Sequence, residues 1–207
     1  MYNIQTLNKI SEIGTDIFDK SKYAISDAPE NPDAIMVRSA KMHDMTFGDN
    51  LLCIARAGAG VNNIPVERCA QEGICVFNTP GANANAVKEL AICAILLASR
   101  KITEAAAWAA SLKGTPDAPK TVEGGKAKFA GPEIKGKTLG IIGLGAIGGQ
   151  IANAAVALGM KVIGYDPYLS VGAALHLNPK VTVVTDINDI YKNSDYISIH
   201  MPYTPQT

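Results

Sequence analysis

The stretch Gly140–Gly149, GIIGLGAIGG, runs on through QIANAAVALGMKVIGYDP to Pro167. Four textures follow one another: a buried strand (Thr138–Ile142), a glycine cluster, an alanine-rich helix from about Ile147 to Leu158, and a second strand (Lys161–Tyr165) closed by Asp166. A strand that turns sharply into a helix and returns as a neighbouring parallel strand is the unit from which open α/β sheets are wound.

Each glycine in the cluster has a task if a dinucleotide binds there. Gly143 permits the tight turn out of the strand, Gly145 lets the backbone approach a pyrophosphate, and Gly148 lets the helix pack closely. The helix start, with Ala146 and Ile147, aims free N–H groups and the positive dipole end at phosphate oxygens. Asp166 lies eighteen residues beyond Gly148, where a carboxylate accepts from ribose hydroxyls. Pro167 and Tyr168 follow it, with no arginine to receive a 2′-phosphate, so the expected cofactor is NAD rather than NADP. The rival reading of the glycines is a plain turn in some other α/β protein.

The same alternation fills the rest of the chain. Residues 2–6, 22–26, 34–40, 51–58 and 74–78 read as strands of a first body. Helix-spaced apolar residues separate some of them, in NKISEIGTDIFDK and in PVERCAQEG. Residues 83–113 read as one long helical stretch, apolar nearly all round at first, which implies burial between two bodies. GTPDAPKTVEGGKAK then reads as a surface loop. The expected fold is α/β, two bodies joined by the long helix.

Bulk properties narrow the partners. The 207 residues are 47% hydrophobic and 18% charged, with 19 basic and 19 acidic side chains, which argues for a packed core and against nucleic-acid or membrane partners. No apolar run has the length of a membrane span and the amino terminus lacks a signal-peptide pattern, so a cytoplasmic protein is expected. Cys53, Cys69, Cys75 and Cys93 show no metal-ligand spacing; no metal site is expected, and the thiols read as reduced and mostly buried.

IGLGAIGGQIANAAVALGMKVIGYDPY resembles the D-2-hydroxyacid dehydrogenases. IMVRSA, ARAGAGVNNIPVERCAQEGICVFNTPGANANAVKEL, FAGPEIKGKTLGIIGLGAIG and YISIHMPYTPQT are similar to the phosphoglycerate dehydrogenase branch. The resemblance implies a flavodoxin-like substrate-binding domain over 1–97 and an incomplete Rossmann NAD-binding domain over 98–207. It implies NAD-linked oxidation of 3-phospho-D-glycerate to 3-phosphohydroxypyruvate, the first step toward serine, in a homodimer. It implies a substrate site at Arg38 and Arg56, whose guanidinium groups suit a phosphate and a carboxylate, and at the backbone of Gly58, Ala59 and Gly60. The counterpart of Ala59 also lies near the cofactor, as does the backbone at Met201. His200, at that strand end, and Pro167, after Asp166, are counted with the cofactor-binding residues, although His200 is not the family's catalytic histidine. Asn78 either orients the nearby loops or merely precedes Pro80. Lys126 and Lys128 resemble a basic patch that reaches a neighbouring subunit's substrate in relatives.

Two positions depart from the pattern: Ala146 stands where many relatives have an arginine, and Asn62 where an aspartate is frequent. The family's catalytic arginine, acidic residue and histidine lie beyond the last motif, so no catalytic residue is expected within the 207 residues and this chain alone is expected to be inactive. The alternatives are a non-catalytic NAD-sensing interaction module of the same family, and a dehydrogenase of another D-2-hydroxy acid.

Overall fold

The computed structural model describes residues Met1 to Pro202; the last five residues of the final motif lie outside the described residues. The chain forms two compact units, Met1–Asn83 and Ala84–Thr207. The helix that follows Asn83 packs Ile92, Ile95 and Leu96 against the core of the second unit.

The first unit contains β1 (Tyr2–Leu7), α1 (Glu12–Thr15), β2 (Tyr23–Ser26), β3 (Ala34–Val37), β4 (Cys53–Arg56), α2 (Val66–Gln71) and β5 (Cys75–Asn78). All its strands are parallel, in the order β2-β1-β3-β4-β5. This is the flavodoxin-like order, with its switch point between β1 and β3. One sheet face is buried through Ile35, Val37 and Ile54, which meet Met42, Ile64 and Cys69. The helical expectation for NKISEIGTDIFDK shrinks to the single turn of α1. Ile13 is 85% exposed and Ile17 80%, so no apolar face is buried to stabilise a longer helix.

The second unit contains α3 (Ala84–Arg100), α4 (Ile102–Ser111), α5 (Ala118–Gly125), β6 (Thr138–Ile142), α6 (Gly148–Ala157), β7 (Lys161–Tyr165), α7 (Val171–Leu175), β8 (Val181–Val184), α8 (Ile187–Asn193) and β9 (Tyr196–Ile199). Its parallel strands run β8-β7-β6-β9. That is the first-half order of a Rossmann fold, with the switch point between β6 and β9. Leu139, Ile141, Ile151, Ala155 and Val162 form the core, and Ile92, Ile95 and Leu96 of α3 pack against it.

Three expectations are corrected here. The helical stretch 83–113 is broken at Lys101, which adopts a left-handed conformation (φ 48°, ψ 39°). The turn redirects α4 so that Trp108 packs on Phe129, with ring centroids 5.1 Å apart. The supposed loop 114–128 holds α5 and a 3-10 turn over Lys126–Phe129. Its proline, Pro119, sits in the first helical turn, where a missing N–H costs nothing. On α3, Leu90 is 70% exposed and Cys93 is exposed as well. Of the four cysteines only Cys69 is fully buried. Cys75 and Cys93 are exposed on faces that their elements leave open, and Cys53 is half-buried.

Candidate cofactor and anion sites

In the second unit the glycine cluster lies at the carboxyl end of β6, beside the switch point. Gly143 adopts φ 93°, a backbone shape that a side chain opposes, and an added Cβ would lie 2.6 Å from the His200 carbonyl oxygen. At Gly148 an added Cβ would collide with the Gly143 carbonyl, so α6 reaches this close only without a side chain. Over Gly145, by contrast, the corresponding space is open. The first backbone bond at this end of α6 runs from Gly149 N–H to the Gly145 carbonyl, 3.0 Å. The N–H groups of Gly145, Ala146, Ile147 and Gly148 therefore have no partner among the described residues. Four free donors at a ten-residue helix's positive end, under an unfilled space, suit a pyrophosphate.

Asp166 does more than the sequence suggests. Its Oδ2 accepts from Leu144 N–H at 2.9 Å and its Oδ1 from Tyr168 N–H at 2.9 Å. The carboxylate is thus fixed by two backbone donors, and each oxygen keeps a lone pair for a ribose hydroxyl. Pro167 is exposed in the turn that brings Tyr168 back. Leu144 is held from both ends: its N–H by Asp166, and its side chain, 1% exposed, in the space left above Gly164. Neither Leu144 nor Gly164 was singled out in the sequence, although the spacing that marked Asp166 also fixed their neighbourhood.

His200 closes the far wall. Its N–H donates to the Ile142 carbonyl at 2.7 Å, and its ring Nε2 lies 2.7 Å from Ser198 Oγ. Burial holds its pKa below the ordinary histidine value. These contacts make it part of the strand end, with Met201 following as a half-buried residue.

The first unit presents its residues at the carboxyl edge of its own sheet. Arg38 leaves β3 exposed, with no side-chain partner among the described residues. Arg56 donates from Nε to the Arg38 carbonyl at 3.1 Å, and its guanidinium covers Gly58. The turn Gly58–Gly60 is clamped from β5: Gly58 N–H donates to Thr79 Oγ1 at 2.8 Å, Thr79 N–H to the Gly58 carbonyl at 3.0 Å, and Asn78 Nδ2 to the Ala59 carbonyl at 2.7 Å. Asn78 therefore orients the loop. Gly58 N–H is already committed to Thr79, which leaves Ala59 and Gly60 as the free donors of the turn. Thr79, unremarked in the sequence, is the hydroxyl that shapes it.

Other candidates are engaged elsewhere. Lys126 pairs with Glu123 at 2.6 Å, and Lys128 Nζ lies 4.3 Å above the Trp108 ring. His43 donates from Nε2 to the Asn62 carbonyl at 2.9 Å. Among the described residues no group of three or more potential ligands is placed to hold a metal ion. No described helix is long and apolar enough to cross a membrane.

Comparison with known proteins follows the same division. Residues 92–207 match the family model of the D-isomer specific 2-hydroxyacid dehydrogenase, NAD binding domain. D-3-phosphoglycerate dehydrogenase of Methanocaldococcus jannaschii is 43% identical over 159 residues, covering 77% of this chain and 28% of that protein. Hydroxypyruvate reductase of Thermotoga maritima is 41% identical over 178 residues, covering 84% and 53%. The NAD+-bound 3-phosphoglycerate dehydrogenase of Entamoeba histolytica superposes over 100% of this chain and 64% of its own, with a TM-score of 0.74 and 27% identity. The chain thus spans about half or less of those two sequence relatives. The matched domain covers more than half of the chain, which belongs to the D-isomer specific 2-hydroxyacid dehydrogenase family through its NAD binding domain.

Proposed function

We propose that the chain carries the anion-binding and NAD-binding units of a D-3-phosphoglycerate dehydrogenase, which oxidises 3-phospho-D-glycerate to 3-phosphohydroxypyruvate. NAD, when bound, accepts the hydride from the hydroxyl-bearing carbon. Gly145–Gly148 offer their N–H groups to its diphosphate and Asp166 its carboxylate to the adenosine ribose. Arg38, Arg56 and the N–H groups of Ala59 and Gly60 take the substrate's anionic groups.

The observation that carries the substrate class is the pair of arginines on one sheet edge beside two free backbone donors. A doubly anionic ligand satisfies both guanidinium groups, whereas a neutral-tailed hydroxy acid leaves one unpaired. The relatives named D-3-phosphoglycerate dehydrogenase support the same reading.

Hydride transfer also needs a proton acceptor for the hydroxyl. His43 and His200 are bonded to Asn62 and Ser198 respectively, and none of the three histidines has a carboxylate partner among the described residues. The proposal accordingly includes binding without turnover by the 207-residue chain. Calorimetric titration with NAD, then with 3-phosphoglycerate, D-glycerate and D-lactate, tests it. Preference for the phosphorylated acid is expected; equal or tighter binding of glycerate favours the hydroxypyruvate reductase reading that the Thermotoga maritima relative suggests. Steady NADH formation by the pure chain overturns the inactive-chain part.

A further inference from the structure

The switch point of the first sheet lies between β1 and β3, the place where open α/β sheets collect ligands. On the β3 side stands Arg38, then Ser39 and Ala40. On the β1 side stands Asn8, one of two residues other than glycine with positive φ among the described residues (71°). Asparagine tolerates this left-handed shape better than most residues, though less freely than glycine. What the shape accomplishes is visible in the contacts. Asn8 Oδ1 accepts both Ser39 N–H and Ala40 N–H, each at 2.8 Å. Those two amides have no other partner among the described residues.

We propose that Asn8 is a positioning residue of the anion site, fixing the Arg38–Ala40 turn across the switch point so that Arg38 is presented to the ligand. The inference rests on the anionic-substrate reading of Arg38 and Arg56. Two successive N–H groups converging on one oxygen form a small anion-type seat, here filled by a carboxamide. Asn8 thereby does at the β1–β3 switch what Thr79 does at the β4–β5 edge. The neighbouring backbone is pinned from the opposite side, where Asn63 Nδ2 donates to the Ala40 carbonyl at 2.9 Å and Met42 N–H to the Asn63 carbonyl at 2.9 Å. Asn63 touches neither of the two amides, so Asn8 is their acceptor among the described residues. Arg56, through the Arg38 carbonyl, then ties this turn to the second arginine.

The test uses Asn8→Gly, which keeps the backbone shape and deletes the acceptor, and Asn8→Asp, which keeps an acceptor. Amide hydrogen exchange is read at Ser39 and Ala40 by NMR, and affinities for 3-phosphoglycerate and NAD are read in the same proteins. Asn8→Gly is expected to accelerate exchange at both amides by about tenfold and to weaken 3-phosphoglycerate binding by about fivefold, the scale of one lost hydrogen bond. NAD affinity should stay unchanged, which a general loss of stability would not allow. Asn8→Asp should retain exchange protection. Unaltered protection and unaltered affinity in Asn8→Gly overturn the proposal, as does lost affinity for both ligands alike. If the unsubstituted chain binds no 3-phosphoglycerate, the substrate reading fails and the presentation of Arg38 to that ligand fails with it. Unaltered protection in Asn8→Gly would then remove the clamp as well.

Discussion

The two sheets present their ligand edges by different means. In the second unit the edge is built from a contiguous stretch: Gly143 to Gly148 make the turn, and only Asp166 comes from the next strand. In the first unit the edge is assembled from four strand ends, with Asn8, Arg38, Arg56, Asn78 and Thr79 brought together across seventy residues. Glycines do the shaping in one case, by removing side chains where backbone must pass. Polar side chains do it in the other, by capturing backbone N–H and carbonyl groups. A site of the first kind is intolerant of added atoms; a site of the second kind is sensitive to lost ones.

That contrast orders the expected effects of substitution. Gly148→Val should be the most damaging, because its side chain meets the Gly143 carbonyl and the helix must withdraw. Destabilisation of about 3 kcal/mol or more is expected, together with loss of NAD binding, read by thermal unfolding and calorimetry. Asp166→Ala comes next. It strips the acceptor from Leu144 N–H and Tyr168 N–H, so the apo protein should lose about 1–3 kcal/mol, and NAD affinity should fall beyond what the ribose contact alone explains. Full apo stability in that variant would mean the turn holds itself.

On the first sheet, Thr79→Val keeps the shape and removes the hydroxyl. Gly58 N–H then keeps only its contact with the Arg56 carbonyl, and a loss of about 0.5–1.5 kcal/mol is expected, with weaker binding of 3-phosphoglycerate and unchanged binding of NAD. Thr79→Ser should restore both. Equal losses for the two ligands would erase the distinction between the sheets.

The legibility of the two edges follows from the same physics. The glycine turn was readable because its demands fall on neighbouring positions: Gly143, Gly145 and Gly148 are spaced by the backbone itself, and Asp166 by one helix and one strand. Strands β1 to β7 fall on the runs that apolar, β-branched patterning marks, with β1 one residue longer, to Leu7. Arg38 and Arg56 were found through family likeness and strand-end position. Asn8 and Thr79 were not found, since a residue that captures backbone far away in sequence carries no local signature. The same holds for the break at Lys101 and for α5. The helical run 84–111 is divided at Lys101, beyond which α4 carries Trp108 onto Phe129, and no glycine or proline marks the division.

The gentlest effect concerns pH. Burial lowers the pKa of His200, so its neutral form is favoured in the fold and unfolding makes protonation easier. The stabilisation is whole above the ordinary histidine value and is lost as pH falls from there through the lowered one. His200→Gln should flatten the acid side of a plot of melting temperature against pH, chiefly for the second unit. An unchanged slope would place the acid sensitivity elsewhere.

The dinucleotide crevice of the second unit is tested most directly by observing the backbone amides of Gly145, Ala146, Ile147 and Gly148 during NAD titration by NMR. These four, together with Leu144 above Asp166, are expected to shift together and to saturate at a single affinity. Binding of NAD that leaves the four amides unmoved, or no binding at all, would contradict it.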